Sequence, residues 1–440
     1  MNFLNITIHR FRGIYKNFLS FFSIFSIQTI TQIFFPPAMI FAWGIESFGI
    51  WIFILSIPSL LTIFNINFSS ASRSEMSINY EKKNFVYLNK IFQNTFFLVL
   101  LSSLFFFLIW IIALSFNKIN FKTLENVNPE ELKIIFLFLF LSTHCLIFDQ
   151  IFYCGISYKG DASNYNYNTI FFDTLIKILI PASGLFTENL VYPSLIFLIL
   201  SAFKTFLLFV IFKKKNKENL NFKINLIDFK LCIKIFKLSL SYQLDNISFI
   251  IRNNGLIMLI GSFFSPMLVG LISTARTLFY FLPIRFMNII DNTIFYEFSK
   301  MYGNDDTPSL MKFFKYHIYV NITVIAVFTT LSVFFGKFIY NYWTNNEYVL
   351  SNILMFLIIA DAIVFNSFNS LETFIKSINK FFYSALLKSC LAILTVILTF
   401  ALFTTGYSFL SYFVLSIISS IIIFIFILIL TIKILNKNYK

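Results

Sequence analysis

The stretch SIISSIIIFIFILILTI, residues 416–432, decides the fold. It runs without a charged residue, and its apolar and polar side chains do not alternate. A strand crossing lipid in a β-barrel would be about 10 residues long and strictly alternating. A helix crossing a hydrocarbon layer of about 30 Å needs roughly 20 mostly apolar residues. The stretch therefore reads as the centre of a membrane helix near 408–433. Working outward, the same criterion finds eleven more segments, near 17–43, 47–68, 92–116, 133–157, 168–186, 190–212, 233–262, 264–297, 311–335, 349–371 and 382–405. The expected fold is an all-α integral membrane protein with twelve transmembrane helices.

Composition agrees. The chain has 440 residues, of which 58% are hydrophobic and 12% charged; its mean hydropathy is +0.80. Soluble domains carry about a quarter charged residues, so a soluble globular enzyme is excluded. With 64 Phe against 12 Gly and 9 Pro, collagen-like and disordered classes are excluded as well. The first apolar segment also exceeds the 7–15 residues of a signal-peptide core.

Lys and Arg in short connections set orientation. With the N-terminus in the cytoplasm, the inside segments collect Arg10, Arg12, Lys16, Arg73, Lys82, Lys83, Lys90 and Lys159. Lys213, Lys214, Lys215, Lys217, Lys223, Lys230, Lys234 and Lys237 follow in the middle connection. Lys300, Lys312, Lys315, Lys376, Lys380, Lys388, Lys433, Lys437 and Lys440 complete the set. Outside lie only Lys118, Lys122, Lys133 and Lys337. One missed span would scramble this bias, so both termini are expected in the cytoplasm. The net charge of +14 then follows from the insertion rule and suits an anionic inner leaflet; no nucleic acid is needed to explain it.

Cys145, Cys154, Cys232 and Cys390 fall in spans or at inner ends without a C-x-x-C spacing, and read as reduced packing residues. His9, His144 and His317 are too scattered for a metal site or a triad. With no G-x-S-x-G, H-E-x-x-H or Walker motif, the reading is a non-enzyme without cofactor or metal.

The basic run KKKNKENLNFK (213–223) divides the predicted spans six and six. The expected domains are an N-terminal six-helix bundle at 1–212, a basic cytoplasmic linker at 213–230 and a C-terminal six-helix bundle at 231–440. Six being even, both halves enter the bilayer in the same direction, a parallel repeat common among transporters. A faint echo accompanies it: Lys16 to Gly49 and Lys237 to Gly270 span equal distances, and Leu19-Ser20 matches Leu240-Ser241. Pro36, Pro37, Pro58, Pro181 and Pro283 lie inside spans, either as hinges or as the prolines that membrane helices tolerate.

Charges near the bilayer centre cost about 2.5–3.5 kcal/mol each on insertion scales and usually face a cavity or a partner. At 1.5 Å per residue, Arg252 is about 14 Å below the outer end of its span and Arg276 about 18 Å below its own. Lys177 is mid-span in the fifth segment and Lys204 in the inner half of the sixth. Asp173, four residues before Lys177, either neutralises it along one helix face or serves another partner. Asp245 lies two turns before Arg252, Asp361 near the middle of the tenth segment and Asp149 towards the inner end of the fourth. Arg285, Asp291 and Glu297 read as a solvated cytoplasmic mouth. This basic-rich set suits an anion, and Arg suits phosphate oxygens by its planar fork.

Several segments resemble polysaccharide transporters. SFFSPMLVGLISTARTL (262–278) is similar to their outer turn and helix start. FYEFSKMYGNDD (295–306) resembles their exit from the eighth span, FGKFIYNYWTNNEY (335–348) their outer connection before the tenth, and IESFGIW (45–51) adds to the likeness. Together with the six-plus-six division, the chain resembles a Wzx-type flippase of the multidrug/oligosaccharidyl-lipid/polysaccharide exporter superfamily. The resemblance implies two six-helix bundles around a cationic cavity. It implies alternating-access turnover of undecaprenyl-pyrophosphate-linked oligosaccharide across the bacterial cytoplasmic (inner) membrane, for O-antigen or another surface polysaccharide. An H+ or Na+ gradient as drive, and polymerase and chain-length regulator proteins as partners, are implied too. Carried over, the head-group site falls on Arg252 and Arg276, then Lys177 and Lys204, with Asp245 or Asp361 as coupling-ion acids. Rival readings are a multidrug exporter of the same superfamily, expected to have an acidic cavity, and a glycan polymerase, expected to have a larger outer loop than 117–132.

Overall fold

The computed structural model describes residues 2–437 apart from 65, 67, 82, 116–120, 160–162, 217–219, 221, 223–226, 304–306 and 379. Side chains before residue 23 and at some helical positions are not described. The predicted inside cations Arg10, Arg12, Lys16, Lys82, Lys217, Lys223, Lys300, Lys437 and Lys440, the outside Lys118, Glu297 and the middle of the 213–230 linker therefore lie outside what is described.

Every described regular element is helical. The order is α1 (Asn2–Leu61), α2 (Phe68–Glu81), α3 (Phe85–Ser115), α4 (Pro129–Ser157), α5 (Ser163–Ser183), α6 (Val191–Lys215) and α7 (Phe229–Ile250). Then follow α8 (Leu256–Phe263), α9 (Pro266–Arg276), α10 (Leu282–Gly303), α11 (Thr307–Trp343), α12 (Asn352–Ser377), α13 (Phe382–Thr404) and α14 (Leu410–Lys437). Two π-helical turns, Ile251–Gly255 and Thr277–Phe281, join α7 to α8 and α9 to α10. Among the described residues, nine helical stretches are long and apolar enough to cross a membrane. They cover ten of the twelve predicted segments, because α1 holds two of them, broken at Gly44 with φ 77°. That backbone conformation suits glycine, which has no β-carbon to clash. The other two segments are helical as α5 and as α7 with α8; α5 carries Asp173 and Lys177, and the α7–α8 stretch Asp245 and Arg252. This is a multi-pass membrane protein.

Local chemistry marks several helix starts. Asn128 accepts from the Glu130 amide at 2.9 Å with Pro129 in the first turn of α4. Ser265 and Ser351 cap α9 and α12 in the same way. Each cap satisfies an orphan amide of a first turn. The short α2 is not foreseen from sequence: FSSASRSEMSINYE is too polar for a span. It is held because Phe68 and Met76 are buried, and because the Thr95 hydroxyl donates to Ser72 at 2.6 Å.

The chain divides into two compact units. The first comprises Met1–Trp43, Ile57–Asn120 and Glu125–Gln243. There α4 packs on α6, α5 on α6, and α2 on α3 and α4. Aromatic stacking fills the core, with Trp110 on Phe140 at 4.1 Å and Phe92 on Phe212 at 5.3 Å between ring centroids.

The second comprises Gly44–Ser56, Phe121–Leu124 and Leu244–Lys440. In it α12 packs on α10, α11 and α14, and α13 on α14. Its Phe53 meets Phe121 edge to face at 5.1 Å, and the Thr123 hydroxyl donates to the Gly261 carbonyl at 2.7 Å. A β-carbon at Gly270 would overlap the Tyr348 hydroxyl, and one at Gly49 the Pro266 carbonyl. At these two contacts a hydrogen is the side chain that fits.

Candidate functional site

In the second unit the polar centre is built where helices depart from regular geometry. Arg252 lies in the first π turn, and Arg276 immediately precedes the second. Such turns occur disproportionately at functional sites. Arg252 is 7% exposed and Arg276 4%, so neither guanidinium is merely a surface charge. Arg252 donates through Nη2 to Asp361 Oδ1 and, at 2.7 Å, to the Ser420 hydroxyl. Asp361 also accepts from the Ser416 hydroxyl at 3.1 Å. The few polar residues of the 416–432 stretch thus supply two of the contacts: Ser416 and Ser420, four apart, share one face of α14. The Tyr412 hydroxyl donates to the Arg252 carbonyl at 2.7 Å.

Arg276 has a different partner. Its Nη2 donates to the Asn253 side-chain oxygen at 2.5 Å, while Asn253 donates onward to the Phe249 carbonyl at 2.9 Å. Both guanidinium groups approach the Tyr280 ring, Arg276 at 4.8 Å and Arg252 at 5.9 Å from the centroid. Phe281 and Phe365 lie 5.0 Å from Arg276 and Arg252 respectively. The two predicted arginines are therefore brought together around one aromatic ring. One has a carboxylate and the other an amide. The Nε of Arg252 is buried without an acceptor.

In the first unit the acids Asp149 and Asp173 meet Lys204, while Lys177 bonds hydroxyl and carbonyl oxygens. Lys204 Nζ lies 3.6 Å from Asp149 and 3.5 Å from Asp173. Asp149 also accepts from the Thr205 hydroxyl at 2.6 Å, and Asp173 from Gln28 at 3.4 Å. Lys177 donates to the Thr31 hydroxyl at 3.0 Å and the Gln28 carbonyl at 3.5 Å. With Thr31 it stands on the wall of a cleft of about 300 Å³ between α1 and α5, otherwise lined by apolar side chains such as Phe34, Phe35, Phe41, Pro181 and Leu185.

Asp245 lies apart from the arginine pair in the bonding pattern. It accepts from Lys376 at 2.7 Å and from Lys388, and the same two lysines bond Glu372 at 3.1 and 2.6 Å. Ser384 donates to Glu372 at 2.8 Å. By sequence Lys376 and Lys388 read as charges of the cytoplasmic connections, and Glu372 carries no motif. The signal that sequence offers is Glu372 four residues before Lys376, a spacing that pairs opposite charges along one helix face. Another set was also missed. His317 of α11, 2% exposed, lies 2.8 Å from Asp291 of α10, which Ser370 of α12 also contacts at 3.2 Å. Among the described residues no group of three or more His, Cys, Asp or Glu could hold a metal ion.

No protein family matches by its sequence profile, and no curated protein sequence matches. Solved structures do. The chain matches the outward-facing conformation of a multidrug resistance MATE family transporter of the MOP superfamily with a TM-score of 0.63 and 12% identity, over 97% of this chain and 96% of that one. It matches an MOP superfamily transporter from Pyrococcus furiosus with a TM-score of 0.64 and 11% identity, over the same shares; that protein is described as having a binding pocket of reverse polarity, suggesting a different function. An inward-facing MATE conformation matches with a TM-score of 0.60 and 11% identity, over 94% of this chain and 95% of that one. At these identities the likeness establishes the fold: nearly the whole chain is built on the architecture of these transporters.

Proposed function

We propose that this protein is an alternating-access transporter of the bacterial cytoplasmic membrane whose cargo presents an anionic head. The cargo class is an undecaprenyl-pyrophosphate-linked oligosaccharide turned from the inner to the outer leaflet. The observation that carries the reading is the Arg252–Arg276 pair around Tyr280, two cations beside a single carboxylate among the described residues. A pyrophosphate would supply the acceptors that Arg276 and the Arg252 Nε can use, and guanidinium groups bind phosphate oxygens through parallel donors. A glycan and its charged linkage cannot cross hydrocarbon unaided, so a buried cationic path lowers that barrier. The twelve-span topology with cytoplasmic termini and the six-plus-six division belong to the same proposal.

The test uses Arg276, whose loss strands no buried carboxylate. Arg276→Ala should weaken binding of decaprenyl pyrophosphate in nanodiscs roughly ten- to hundredfold, equivalent to about 1.5–3 kcal/mol for a charge-assisted contact. It should also abolish glycan display in cells while membrane insertion persists. Arg276→Lys should restore part of both, because charge returns without the fork. Unchanged binding and display in Arg276→Ala would refute the assignment. Multidrug export is the second reading. It is favoured by the aromatic cleft at Lys177 and by the acids Asp149 and Asp173 at Lys204 in the same unit. A drug-susceptibility phenotype on deletion, with normal glycan display, would select it.

A further inference from the structure

A transporter driven by protons needs a buried group that takes up and releases one near neutral pH. Among the described buried carboxylates, Asp361 answers to Arg252. Asp245 and Glu372 answer to Lys376 and Lys388, and Asp149 to Lys204. Lys and Arg side chains ordinarily lose their charge only above about pH 10, so these acids have cationic neighbours throughout the physiological range. Asp291 is different, because its neighbour is an imidazole, a side chain that exists both neutral and protonated.

The geometry is closed and specific. His317 Nε2 lies 2.8 Å from Asp291 Oδ1, and Ser370 donates to Oδ1 at 3.2 Å and Oδ2 at 3.4 Å. Phe298 stands edge-on to the imidazole at 5.6 Å, and Phe314 and Phe374 pack against Phe298. Three helices, α10, α11 and α12, each contribute one polar side chain. Other charges on these helices have their own settings. Arg285 of α10 is half-buried, and Lys312 and Lys315 of α11 are exposed. On α12, Asp361 is bonded to Arg252, and Glu372 to Lys376 and to Lys388 of α13. The side chains of Glu297 and Lys300 lie outside the described residues.

We propose that His317 and Asp291 form the binding site for the coupling proton, a reading that rests on the transporter assignment but not on the glycan. With the Nε2 proton donated to the carboxylate, the pair carries one negative charge. A proton arriving from water binds the free lone pair of Nδ1 and leaves an imidazolium–carboxylate pair of zero net charge. Binding therefore switches a buried anion to a neutral pair at the junction of three helices, and movement of those helices becomes less costly in the protonated state. A hard cation such as Na+ is poorly served here: one carboxylate, one hydroxyl and an imidazole nitrogen fall short of the oxygen cage such ions take.

The test needs no cargo. Full-length protein carrying His9→Gln and His144→Gln, labelled with ¹⁵N-histidine in nanodiscs, reports His317 alone. Its ring nitrogens should titrate as a single proton between pH 5 and 9, with the midpoint displaced in Asp291→Asn. In a background without the four cysteines, maleimide labelling of Glu46→Cys, an exposed position two residues after the Gly44 break, should change with pH by up to about tenfold per unit across that titration, the limit for one linked proton. His317→Gln should make the rate independent of pH. The proposal is overturned if His317 keeps one protonation state over the whole range. It is equally overturned if parent labelling does not respond to pH, or if His317→Gln retains the parent profile. Normal glycan display in Arg276→Ala alongside an intact proton response would instead remove the cargo reading alone.

Discussion

Replacing the Arg252–Asp361 pair one member at a time should produce an asymmetry that a simple contact count misses. Asp361→Leu removes the acceptor of both Arg252 and Ser416. It leaves a guanidinium that is 7% exposed without its carboxylate. Breaking a buried ion pair in this way costs about 3–5 kcal/mol. Arg252→Leu removes the bond to Asp361 and the one to Ser420 but leaves Asp361 with Ser416. An orphaned carboxyl can bind a proton and become neutral, whereas a guanidinium cannot shed one at any workable pH. The cost should fall to about 1–3 kcal/mol, that of an unmatched polar group. The double variant Arg252→Leu/Asp361→Leu replaces two buried charges by apolar volume and should return close to the parent, since such swaps are often neutral or better.

Thermal unfolding of the four proteins in one detergent, read by size-exclusion fluorescence, supplies the ranking. The expected order is parent and double variant, then Arg252→Leu, then Asp361→Leu. Additive losses in the double variant would show that the two residues do not interact, against the observed bond. An Arg252→Leu protein less stable than Asp361→Leu would refute the neutralisation argument itself. The same double variant tests function, because it is expected to fold with one of the two central cations removed. Reduced lipid pyrophosphate binding in a stable protein would then assign the arginine to cargo and not merely to packing.

Gly270→Ala should lower the melting temperature, because its new methyl group meets the Tyr348 hydroxyl, and Tyr348→Phe should return part of the loss. Gly49→Ala meets the Pro266 backbone carbonyl, so no side-chain change at Pro266 should rescue it. At the start of α7, outside the membrane, Lys90 and the amides of Leu231 and Lys230 hold the Asp228 carboxyl below its ordinary range. Its stabilising effect is therefore present above the unfolded value of about 3.9 and lost as pH falls through the lower folded value. Asp228→Asn should melt below the parent at pH 7, and the gap should narrow below pH 4.

Much of this fold is legible in the chain, because lipid leaves few choices: an uncharged apolar run of sufficient length must be helical. That Arg252 and Arg276 are buried likewise agrees with counting residues inward from the span ends. Their partners do not, since Asp361 and Ser420 lie 109 and 168 residues from Arg252 and only packing brings them near. The π turns carry no sequence signature, yet they sit at both arginines. Lys376 and Lys388 look like loop charges because each is near a segment end; the structure shows them gripping Asp245 and Glu372. The helix α2 is hidden for the opposite reason, being too polar to register as a span and too well packed to be a loop.

A pattern in the buried charges links the two proposals. Lys204 is matched by Asp149 and Asp173, Arg252 by Asp361, and Lys376 with Lys388 by Asp245 with Glu372. In these sets every cation meets a carboxylate before any ligand arrives, as buried charges generally must. Arg276 and Asp291 stand apart, the first a cation against an amide, the second a carboxylate against an imidazole. Under the two proposals each is brought to neutrality by a ligand of opposite sign, an anionic head group for Arg276 and a proton for the Asp291–His317 pair. If both exceptions are functional, cargo and proton each remove an electrostatic cost within the same unit. Mutations that supply the missing charge permanently should then mimic the bound state. Asn253→Asp beside Arg276 is the direct case: it should stabilise the fold while reducing affinity for lipid pyrophosphate, and a variant with stability and affinity both reduced would break the link.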